Sequence, residues 1–403
     1  MSETFVIIGA GHAGGQAAAT LRSKGFEGQI VLIGDEPYVP YERPPLSKAL
    51  LAGDIEIERT FLKKPDWYEN KNIDFRANRQ ATAIDREAKT VSLDDGSSVN
   101  YDKLLLTTGT RVRRLDLPGA DLENIFYLRA IDDTLAIKER LTSESNVVIV
   151  GGGYIGLEVA AVARKMGASV KVLEGLDRVM SRVACPEISA FYETVHAEAG
   201  VDIQCGMGVS AFEGDGKVQR VICSGGEMID ADLVVIGVGV LPNVELAADC
   251  GLDVDNGIIV DEFAATTDPA IFAAGDCTNH PNALLGGRLR LESVQNAVDQ
   301  AKTAVSSMLG DPKPYAEVPW FWSDQYDLKL QIVGLSEPTD DVVIRGNPAD
   351  RKFSVIYLRD GVFTAINCVN NIKDFMAAKK MVGTDRRIDP ALLADADTPL
   401  KEM

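Results

Sequence analysis

The sequence predicts an α/β fold that contains one kind of nucleotide-binding domain twice and ends in a smaller α+β domain. Two glycine motifs and an internal repeat lead to this prediction. The first motif is Phe5–Gly14, FVIIGAGHAG, and the second is Asn146–Gly156, NVVIVGGGYIG, so that Gly151 repeats Gly9 at an offset of 142 residues. In each motif an apolar strand runs into Gly-x-Gly-x-x-Gly and then into a helix, an order typical of Rossmann-like dinucleotide sites.

Each glycine of the first motif has a physical task. Gly9 permits a tight turn, Gly11 lets the backbone approach a pyrophosphate, and Gly14 lets the helix pack on the strand. The pyrophosphate lies on the helix N-terminus, where unpaired N–H groups and the dipole favour an anion. The second predicted strand, residues 30–35, ends in Asp35, which is placed to bind ribose hydroxyls.

The second motif repeats this arrangement with Gly151, Gly153 and Gly156, and its second strand ends in Glu174. A carboxylate at that point accepts hydrogen bonds from the ribose hydroxyls of a dinucleotide and repels a 2′-phosphate. We therefore expect NADH rather than NADPH at this motif. Some use of NADPH remains an alternative, because arginines follow Glu174 at positions 178 and 182 and an arginine there can bind a 2′-phosphate.

A second repeat extends the duplication. Residues 94–110 match residues 224–240 at an offset of 130, and each copy is predicted to be a hairpin that leads into a buried strand ending near Gly109 or Gly239. The two offsets differ by about twelve residues. We place these extra residues of the first copy around 38–53.

The remainder of the chain completes this organisation. Residues 266–276 form another buried strand that stops at Gly275-Asp276, and residues 293–308 form a helix, so together they complete one of the two copies. From Trp320 onwards the pattern changes to antiparallel strands, predicted at 329–336, 342–346 and 352–369, with a helix at 371–382. The last of these stretches is predicted to fold into a hairpin at Asp360-Gly361.

Composition excludes several classes of function. A net charge of −19 argues against nucleic acid or an anionic membrane as a partner, and no apolar run approaches the length of a membrane span. The first strand begins within five residues of the N-terminus, so we expect no signal or transit peptide. Six scattered cysteines indicate free thiols in a reducing cytoplasm, and three histidines make a metal site unexpected.

Two dinucleotide sites in one chain indicate that one cofactor is held and another visits. The held cofactor is expected to be a flavin, because hydride transfer between two exchanging nicotinamides is uncommon chemistry. No cysteine pair follows the first helix, which excludes dithiol reductases of the glutathione reductase type, and the absence of cysteine from residues 35–50 argues against flavoprotein peroxidases. We expect His12 to be a turn residue, and Cys277 and His280 to be packing residues.

Further motifs carry a resemblance to a known family. They are RPPLSK at 43–48, LLLTTGT at 104–110, YLR at 127–129, GVGVLPN at 237–243, TTDPAIFAAGD at 266–276, ESVQNA at 292–297 and FWSDQ at 321–325. Together with the glycine motifs they make the chain similar, over essentially all 403 residues, to the FAD- and NADH-dependent ferredoxin reductases of bacterial oxygenase systems, the putidaredoxin reductase type. RPPLSK and FWSDQ are the most specific of these motifs.

The resemblance implies the glutathione-reductase-like arrangement of two Rossmann-like domains and a C-terminal α+β domain. FAD would bind a discontinuous domain of residues 1–112 and 240–319, NADH would bind residues 113–239, and residues 320–403 would form the third domain.

The same resemblance implies a set of FAD contacts. Ala13 would lie on the pyrophosphate turn, Asp35 on the adenosine ribose and Ala81 on a backbone contact to adenine. The full implied set is Gly9, Gly11, Ala13, Gly14, Asp35, Arg43, Pro44, Lys48, Ala81, Thr108, Gly109, Arg129, Gly275, Asp276, Ser293 and Val294.

Three of these contacts approach the phosphates and the flavin itself. Arg129 would approach the FAD phosphates, and Asp276 would bind the ribityl hydroxyls. A helix N-terminus at Ser293–Val294 would stabilise the negative charge that hydride transfer leaves on the flavin pyrimidine. The alternative for Val294 is an ordinary valine of a helix core.

The implied NADH contacts are Gly151, Gly153, Tyr154, Ile155, Gly156, Glu158, Glu174 and Gly239. In similar proteins the residues that match Lys48 and Glu158 meet beside flavin N5 and orient the nicotinamide, so this pair is a catalytic candidate. The alternative is a plain surface lysine and a glutamate favoured by the start of its helix.

The electron outlet is assigned to the third domain. In similar proteins the tryptophan that matches Trp322 lies close to the flavin, where the iron–sulfur partner docks; the alternative is an aromatic residue of a domain boundary. Ferredoxins are usually acidic, so docking requires a local basic patch, for which Arg288, Arg290 and Lys329 are candidates.

The sequence therefore predicts a flavoprotein that passes electrons from NADH through FAD to a [2Fe–2S] ferredoxin, which serves a cytochrome P450 or a Rieske oxygenase. A rubredoxin reductase shares most of these motifs. An NADH-binding redox sensor like apoptosis-inducing factor is the alternative from another class, although its long insertions and basic surface are not seen here.

Overall fold

The computed structural model describes residues 3–403. The chain divides into two compact units, each assembled from separated segments. The first unit comprises the chain up to Arg43, Glu58–Arg111 and Leu241–Pro319, and the second comprises Pro44–Ile57, Val112–Val240 and Trp320–Met403. The expected division into FAD, NADH and C-terminal domains stays a prediction.

Residues 3–403 contain ten α-helices. They are α1 His12–Ser23, α2 Ala49–Ala52, α3 Pro65–Asn70, α4 Ile131–Arg140, α5 Tyr154–Lys165, α6 Pro186–Glu198, α7 Glu245–Asp249, α8 Val294–Met308, α9 Ile372–Ala378 and α10 Pro390–Ala394.

The same residues contain 26 strands. They are β1 Thr4–Ile8, β2 Gln29–Ile33, β3 Ile73–Arg76, β4 Ala81–Asp85, β5 Thr90–Leu93, β6 Ser98–Asn100, β7 Lys103–Leu106, β8 Thr110–Val112, β9 Ile125–Tyr127, β10 Asn146–Val150, β11 Ser169–Glu174, β12 Val201–Cys205, β13 Val209–Asp215, β14 Lys217–Cys223, β15 Met228–Asp230, β16 Leu233–Ile236, β17 Val240–Pro242, β18 Ile258–Ile259, β19 Ile271–Ala273, β20 Thr278–Pro281, β21 Arg288–Leu289, β22 Trp320–Gln325, β23 Leu328–Gly334, β24 Asp341–Asn347, β25 Lys352–Arg359 and β26 Val362–Val369.

The first unit is built on a parallel sheet with strand order β19-β7-β1-β2-β3. Successive residues of β1 point to opposite faces, so Phe5 and Ile7 enter one core with α1 and α8, whereas Val6 and Ile8 enter another. Both faces of the sheet are therefore covered. This explains why the sequence of β1 is a continuous apolar run rather than an alternation of apolar and polar residues.

The second unit contains the same sheet plan, with strand order β12-β11-β10-β16-β9. Here Val147 and Ile149 face one core and Val148 and Val150 face the other. The fold class and the duplication predicted from the two glycine motifs are confirmed. In both copies a three-stranded antiparallel sheet precedes the strand that pairs with the first strand of the copy, as β4-β5-β6 before β7 and β13-β14-β15 before β16.

The copies differ in the strand that completes each sheet. In the first copy β19, which comes late in the chain, pairs with β7, whereas in the second copy β9 pairs with β16. The prediction that residues 266–276 complete one copy is therefore correct. The paired strand itself is confined to Ile271–Ala273.

The C-terminal segment of the second unit forms an antiparallel sheet with order β22-β23-β26-β25-β24. Strand β22 begins the sheet and was not recognised in the sequence as a strand. The predicted hairpin at Asp360-Gly361 is present, with positive φ at both residues. Helix α9 ends at Ala378, four residues before the predicted end.

The extra residues of the first copy lie between β2 and β3, where the offsets place them. Part of this insert, Pro44–Ile57, belongs to the second unit. The Thr134 hydroxyl of α4 donates a hydrogen bond to the carbonyl of Leu46, and Lys165 of α5 pairs with Asp54 at 3.2 Å. These contacts fasten the insert to the helices of the second copy.

The first glycine turn is tight at two of its three glycines. A Cβ atom on Gly9, where φ is +105°, would lie 2.2 Å from the carbonyl oxygen of Thr107, and one on Gly14 would lie 1.9 Å from the carbonyl oxygen of Gly9. A Cβ atom on Gly11 would meet no atom of residues 3–403 within 4 Å. The space beside Gly11 is therefore open to a ligand, whereas the other two glycines serve packing.

This difference predicts opposite behaviour for two alanine variants. Gly14→Ala should lower the free energy of unfolding by about 1–3 kcal/mol, because the added methyl group overlaps backbone. Gly11→Ala should fold with unchanged stability, since its φ of −81° suits alanine, but should weaken dinucleotide binding. Chemical denaturation and dinucleotide titration check the two effects. Full dinucleotide affinity in Gly11→Ala would contradict the assignment of the open space.

Candidate functional site

Helix α1 begins directly at the first glycine turn, with Gly11 as its N-cap and His12 as its first residue. The expectation that His12 is a turn residue is wrong, because the helix already begins at His12 and the turn ends at Gly11. Its Nδ1 atom is buried and has no hydrogen-bond partner among residues 3–403. Burial, with the Arg43 guanidinium nearby, lowers the pKa of His12 to about 4, so the ring is neutral at pH 7.

Neither glycine-turn helix has an acidic residue in its first turn, whereas α3, α4 and α6 do. The positive end of a helix dipole attracts an anion, and a carboxylate in the first turn would supply that negative charge from the protein itself. The start of α1 thus fits a pyrophosphate. Ala13 and Gly14 are buried in this first turn and bring the helix close to β1.

The end of β2 presents two carboxylates with different roles. Asp35 is exposed two residues beyond the strand, and its predicted contact to a ribose stays a prediction. Glu36 pairs with Arg43 at 2.6 Å and accepts a hydrogen bond from the Tyr41 hydroxyl at 2.5 Å. Sequence reasoning missed Glu36 and Tyr41, which hold the guanidinium of Arg43 in place. The RPPLSK motif was the available signal, because its arginine requires an acidic partner when half-buried.

The predicted FAD residues that follow β7 and β19 lie at the carboxyl ends of neighbouring parallel strands of the first unit. Thr108 donates its hydroxyl to the carbonyl of Asn243 at 2.6 Å, and the Asn243 amide donates to the carbonyl of Thr108 at 2.8 Å. This reciprocal pair fixes the loop that contains Gly109. The N–H of Gly275 donates to the amide oxygen of Gln300 at 2.8 Å, and the next residue, Asp276, is half-buried.

Helix α8 begins as the sequence predicts, at Val294 after the N-cap Ser293. The Ser293 hydroxyl accepts the N–H of Asn296 at 3.1 Å. Val294 is half-buried rather than enclosed in a core, which disfavours the core alternative.

Ala81, the residue predicted to contact adenine through its backbone, is the buried first residue of β4.

The second glycine turn reproduces the first. An added Cβ atom would lie 2.4 Å from the carbonyl oxygen of Gly237 at Gly151 and 2.1 Å from the carbonyl oxygen of Gly151 at Gly156. At Gly153 no atom of the described residues would lie within 4 Å of it. The residues present therefore fit a second pyrophosphate. Ile155 is 44% exposed beside this turn.

Tyr154, in contrast, is half-buried, and its hydroxyl oxygen is buried without a hydrogen-bond partner among residues 3–403. Burial raises the pKa of Tyr154 well above its ordinary value, so the phenol is neutral. Gly239 lies between β16 and β17, and a Cβ atom added to it would lie 3.7 Å from the guanidinium of Arg182.

The carboxylate of Glu174 is fixed at the end of β11. It accepts the N–H of Gly152 at 2.7 Å and the N–H of Leu176 at 2.9 Å. Arg178 is engaged elsewhere, because it donates to two backbone carbonyls and to the Ser189 hydroxyl. Of the two arginines that keep NADPH open, Arg182 is the exposed one.

Lys48 and Glu158 meet in the second unit. Lys48 Nζ lies 2.6 Å from Glu158 Oε2, and Glu158 is 2% exposed. The Ser47 hydroxyl donates to Oε2 at 2.5 Å, and the Ser323 hydroxyl donates to Oε1 at 2.6 Å. Burial raises the pKa of Glu158, and Lys48 with the two hydroxyls opposes this rise. The alternatives of a surface lysine and a helix-start glutamate are not what the structure shows.

Ser47 and Ser323 are functional candidates that sequence reasoning missed. Both lie in the motifs RPPLSK and FWSDQ, yet only a structure reveals that the two motifs meet at one carboxylate. The insert contributes Ser47 and Lys48, α5 contributes Glu158, and β22 contributes Ser323.

Pro44 and Arg129 also belong to the second unit. Pro44 opens a 3₁₀ turn that ends at Ser47, next to Lys48. Arg129 lies between β9 and α4, where its backbone N–H donates to Asp133 at 2.8 Å. Their predicted contacts to FAD stay predictions.

The aromatic residues that open the C-terminal sheet form a cluster. Trp322 is half-buried, with its ring centroid 5.7 Å from that of Trp320, and Lys379 Nζ lies 4.4 Å from the Trp320 ring.

The three residues predicted to form a basic patch differ in whether their side chains are already engaged within the chain. Arg288 donates to the backbone of Val260 and to Asn279, and Arg290 pairs with Glu292 at 2.5 Å, whereas Lys329 is exposed.

Other sequence expectations concern residues away from these turns. All six cysteines are free thiols, and Cys277 and His280 are buried, as expected of packing residues. Within residues 3–403, no helix combines the length and apolar character needed to cross a membrane. In the same range no group of three or more His, Cys, Asp and Glu residues is arranged to hold a metal ion.

Two protein-family models match the chain. The pyridine nucleotide-disulphide oxidoreductase model matches residues 3–301, and the reductase C-terminal model matches residues 320–403. The chain is also 44% identical, over 401 residues, to the 5,5'-dehydrodivanillate O-demethylase ferredoxin reductase subunit of Sphingobium sp.. That alignment covers 99% of this chain and 97% of the relative.

Solved structures of ferredoxin reductases are similar to this chain as well. A chain of the covalent putidaredoxin reductase–putidaredoxin complex matches with a TM-score of 0.96 and 43% identity, covering 99% of this chain and 97% of that one. The ferredoxin reductase for the CYP199A2 system of Rhodopseudomonas palustris matches with a TM-score of 0.96 and 42% identity, covering 99% of both chains. With its two glycine turns and its C-terminal sheet, this chain belongs to the pyridine nucleotide-disulphide oxidoreductase family, among the ferredoxin reductases of the putidaredoxin reductase type.

Proposed function

We propose that this protein is an NADH-dependent ferredoxin reductase that passes electrons through FAD to a [2Fe–2S] ferredoxin serving a cytochrome P450 or a Rieske oxygenase. The observation that carries the proposal is the presence, in one chain, of two glycine turns with open middle glycines and of the buried Lys48–Glu158 pair. Relatives of full length that belong to an O-demethylase and to the CYP199A2 system support the oxygenase assignment.

Membership in the family implies binding of FAD and of a nicotinamide dinucleotide. Bound FAD supplies the conversion between carriers, because a flavin accepts a hydride and releases its electrons singly. In this proposal the first glycine turn holds the FAD pyrophosphate, Asp35 binds the ribose and Asp276 binds the ribityl chain. The N-terminus of α8, capped by Ser293, offers backbone N–H groups to the flavin pyrimidine.

The second glycine turn holds NADH in this proposal, and Glu174 binds its adenosine ribose. The carboxylate of Glu174 already accepts two backbone N–H groups, which orient it and leave further lone pairs for ribose hydroxyls. A 2′-phosphate would face the same carboxylate and be repelled.

Lys48 and Glu158 orient the nicotinamide ring in this proposal. A carboxamide presents one acceptor and one donor group, and the pair presents an ammonium donor beside a carboxylate acceptor. A carboxylate has about four lone-pair sites, of which Lys48, Ser47 and Ser323 occupy three. One site therefore remains for the carboxamide N–H of the nicotinamide.

The ferredoxin docking surface is defined here as Trp320, Trp322 and helix α9. Helix α9 exposes Ile372 and Met376, 54% and 53% accessible, contains Lys373 and is followed by Lys379 and Lys380. Apolar side chains ringed by cations fit an acidic electron carrier. This surface provides the local basic patch that a protein with a net charge of −19 needs.

The central test is anaerobic cytochrome c reduction driven by NADH. The rate should depend on an added [2Fe–2S] ferredoxin and should be much lower when NADPH replaces NADH. Rubredoxin in place of ferredoxin serves as the acceptor control, and a higher rate with rubredoxin would favour the rubredoxin reductase alternative. Flavin bleaching by NADH with negligible turnover on either acceptor would favour the redox sensor.

Dinucleotide preference tests the role of Glu174. Glu174→Gln should lower kcat/KM with NADH by about tenfold and narrow the preference over NADPH, because a charge-assisted hydrogen bond and a repulsive charge are both lost. Steady-state kinetics with both dinucleotides measures the ratio. Glu227→Gln, an exposed position on the β14–β15 turn, is the matched control and should change neither value.

Charge reversal tests the docking surface. Lys379→Glu should raise the KM for ferredoxin by about tenfold at low ionic strength, because an attraction becomes a repulsion, and the effect should diminish in high salt. Flavin reduction by NADH should not change. Lys352→Glu, an exposed position of β25, is the control. Equal effects of the two variants would rule out a specific surface at α9.

A further inference from the structure

A continuous chain of hydrogen bonds leads away from the carboxylate of Glu158. The Ser323 hydroxyl, which donates to Glu158, lies 3.2 Å from the amide nitrogen of Gln325. The amide oxygen of Gln325 lies 2.8 Å from Nε2 of His196, and Nδ1 of His196 lies 3.0 Å from the hydroxyl of Tyr326. The chain of bonds thus joins α5, β22 and α6 within the second unit.

Burial makes these hydrogen bonds obligatory. Ser323 and His196 are 0% exposed and Gln325 is 1% exposed, so water does not replace a lost partner. Tyr326, at 38%, is the point where the chain of bonds reaches solvent. Burial lowers the pKa of His196, and the hydrogen bond with Gln325 opposes this decrease.

The charge of Glu158 sets the direction of every bond. An ionised carboxylate only accepts, so Ser323 must donate its hydroxyl to Glu158 and accept from the Gln325 amide N–H. The amide oxygen of Gln325 then faces His196, which must donate from Nε2. The reversed chain would turn the Ser323 lone pairs toward the carboxylate at 2.6 Å, which is repulsive.

We infer that Ser323, Gln325 and His196 are positioning residues, which orient the Glu158 carboxylate toward Lys48 so that the pair aligns the nicotinamide. The inference rests on the proposed function of that pair. All donors in the chain point toward one anion, so each bond polarises the next and strengthens the hold on the carboxylate. The neutral Nε2–H tautomer of His196 is the far end of this alignment.

The tautomer is measurable without any enzymatic turnover. The chain contains only three histidines, so ¹⁵N-histidine labelling gives three pairs of ring nitrogens. At pH 7.5 the His196 signals, assigned by their absence in His196→Gln, should show a protonated Nε2 and an unprotonated Nδ1. A protonated Nδ1, whether in the other tautomer or in an imidazolium ion, would overturn the inferred direction.

Gln325→Glu is the sharpest variant, because it keeps the shape and removes the amide donor. The Ser323 hydroxyl can then donate to either of two carboxylates, so Glu158 loses a donor of fixed direction. The limiting rate of flavin reduction by NADH, measured by anaerobic stopped flow, should fall by about tenfold, the equivalent of one hydrogen bond to a charged group. The dissociation constant for NADH should change much less.

Gln331→Glu is the matched control. Gln331 is also buried in the C-terminal sheet, on strand β23, and it follows Leu330, the residue paired with Ser323. Successive strand residues point to opposite faces, so the control adds the same charge on the other side of the sheet. An equal decrease in the limiting rate for both variants would overturn the inference in favour of a general cost of buried charge.

Ser323→Ala keeps the test decisive if Gln325→Glu fails to fold. It removes the bond to Glu158 and adds no charge, and it should also lower the limiting rate by about tenfold. A rate within about twofold of the unaltered protein would overturn the inference. Failure of NADH to reduce the flavin of the unaltered protein would instead overturn the proposed function, so the two failures are distinguishable.

Discussion

The buried ion pair between Lys48 and Glu158 is the constraint on which the second unit depends. Taking a carboxylate out of water costs several kcal/mol unless a cation and hydrogen-bond donors surround it. Glu158 meets this demand with one ammonium and two hydroxyls, which come from the insert and from the C-terminal sheet. Removing any donor leaves a buried charge with fewer partners. Segments that are far apart in sequence are therefore held to one carboxylate on helix α5.

The insert acquires a physical explanation from this pair. Its residues Pro44–Ile57 belong to the second unit, although the sequence on either side belongs to the first. Pro44-Pro45 restricts the backbone at the entrance, and Thr134 and Lys165 fasten the segment to α4 and α5. The chain thus uses about a dozen residues, absent from the second copy, to deliver one ammonium and one hydroxyl to a buried carboxylate.

Sequence patterns predicted most of the fold because the relevant signals are local. The two glycine motifs predicted the turns at Gly9 and Gly151, and the two offsets predicted where the insert lies. The sequence did not reveal strand β22, because tryptophans at a domain start resemble core aromatics. Nor did it predict that Ser323, Gln325 and His196 line up behind Glu158. Two of these contacts, Ser323 to Glu158 and His196 to Gln325, connect residues more than a hundred positions apart, and no spacing rule relates a histidine on α6 to a glutamine on β22.

The two copies share a backbone but differ in chemistry at one equivalent position. Glu158 lies two residues beyond the third glycine of the second turn, and Gln16 lies at the same place beyond Gly14. Gln16 is a neutral side chain whose amide donates to the Thr20 hydroxyl of its own helix at 2.9 Å. Under the proposed function this difference has a reason. A resident dinucleotide needs only a packed, uncharged helix beside its pyrophosphate, whereas a visiting one must be aligned for hydride transfer each time it binds. The proposed function therefore accounts for the carboxylate and its supporting hydrogen bonds in the second copy, where the visiting dinucleotide would be aligned.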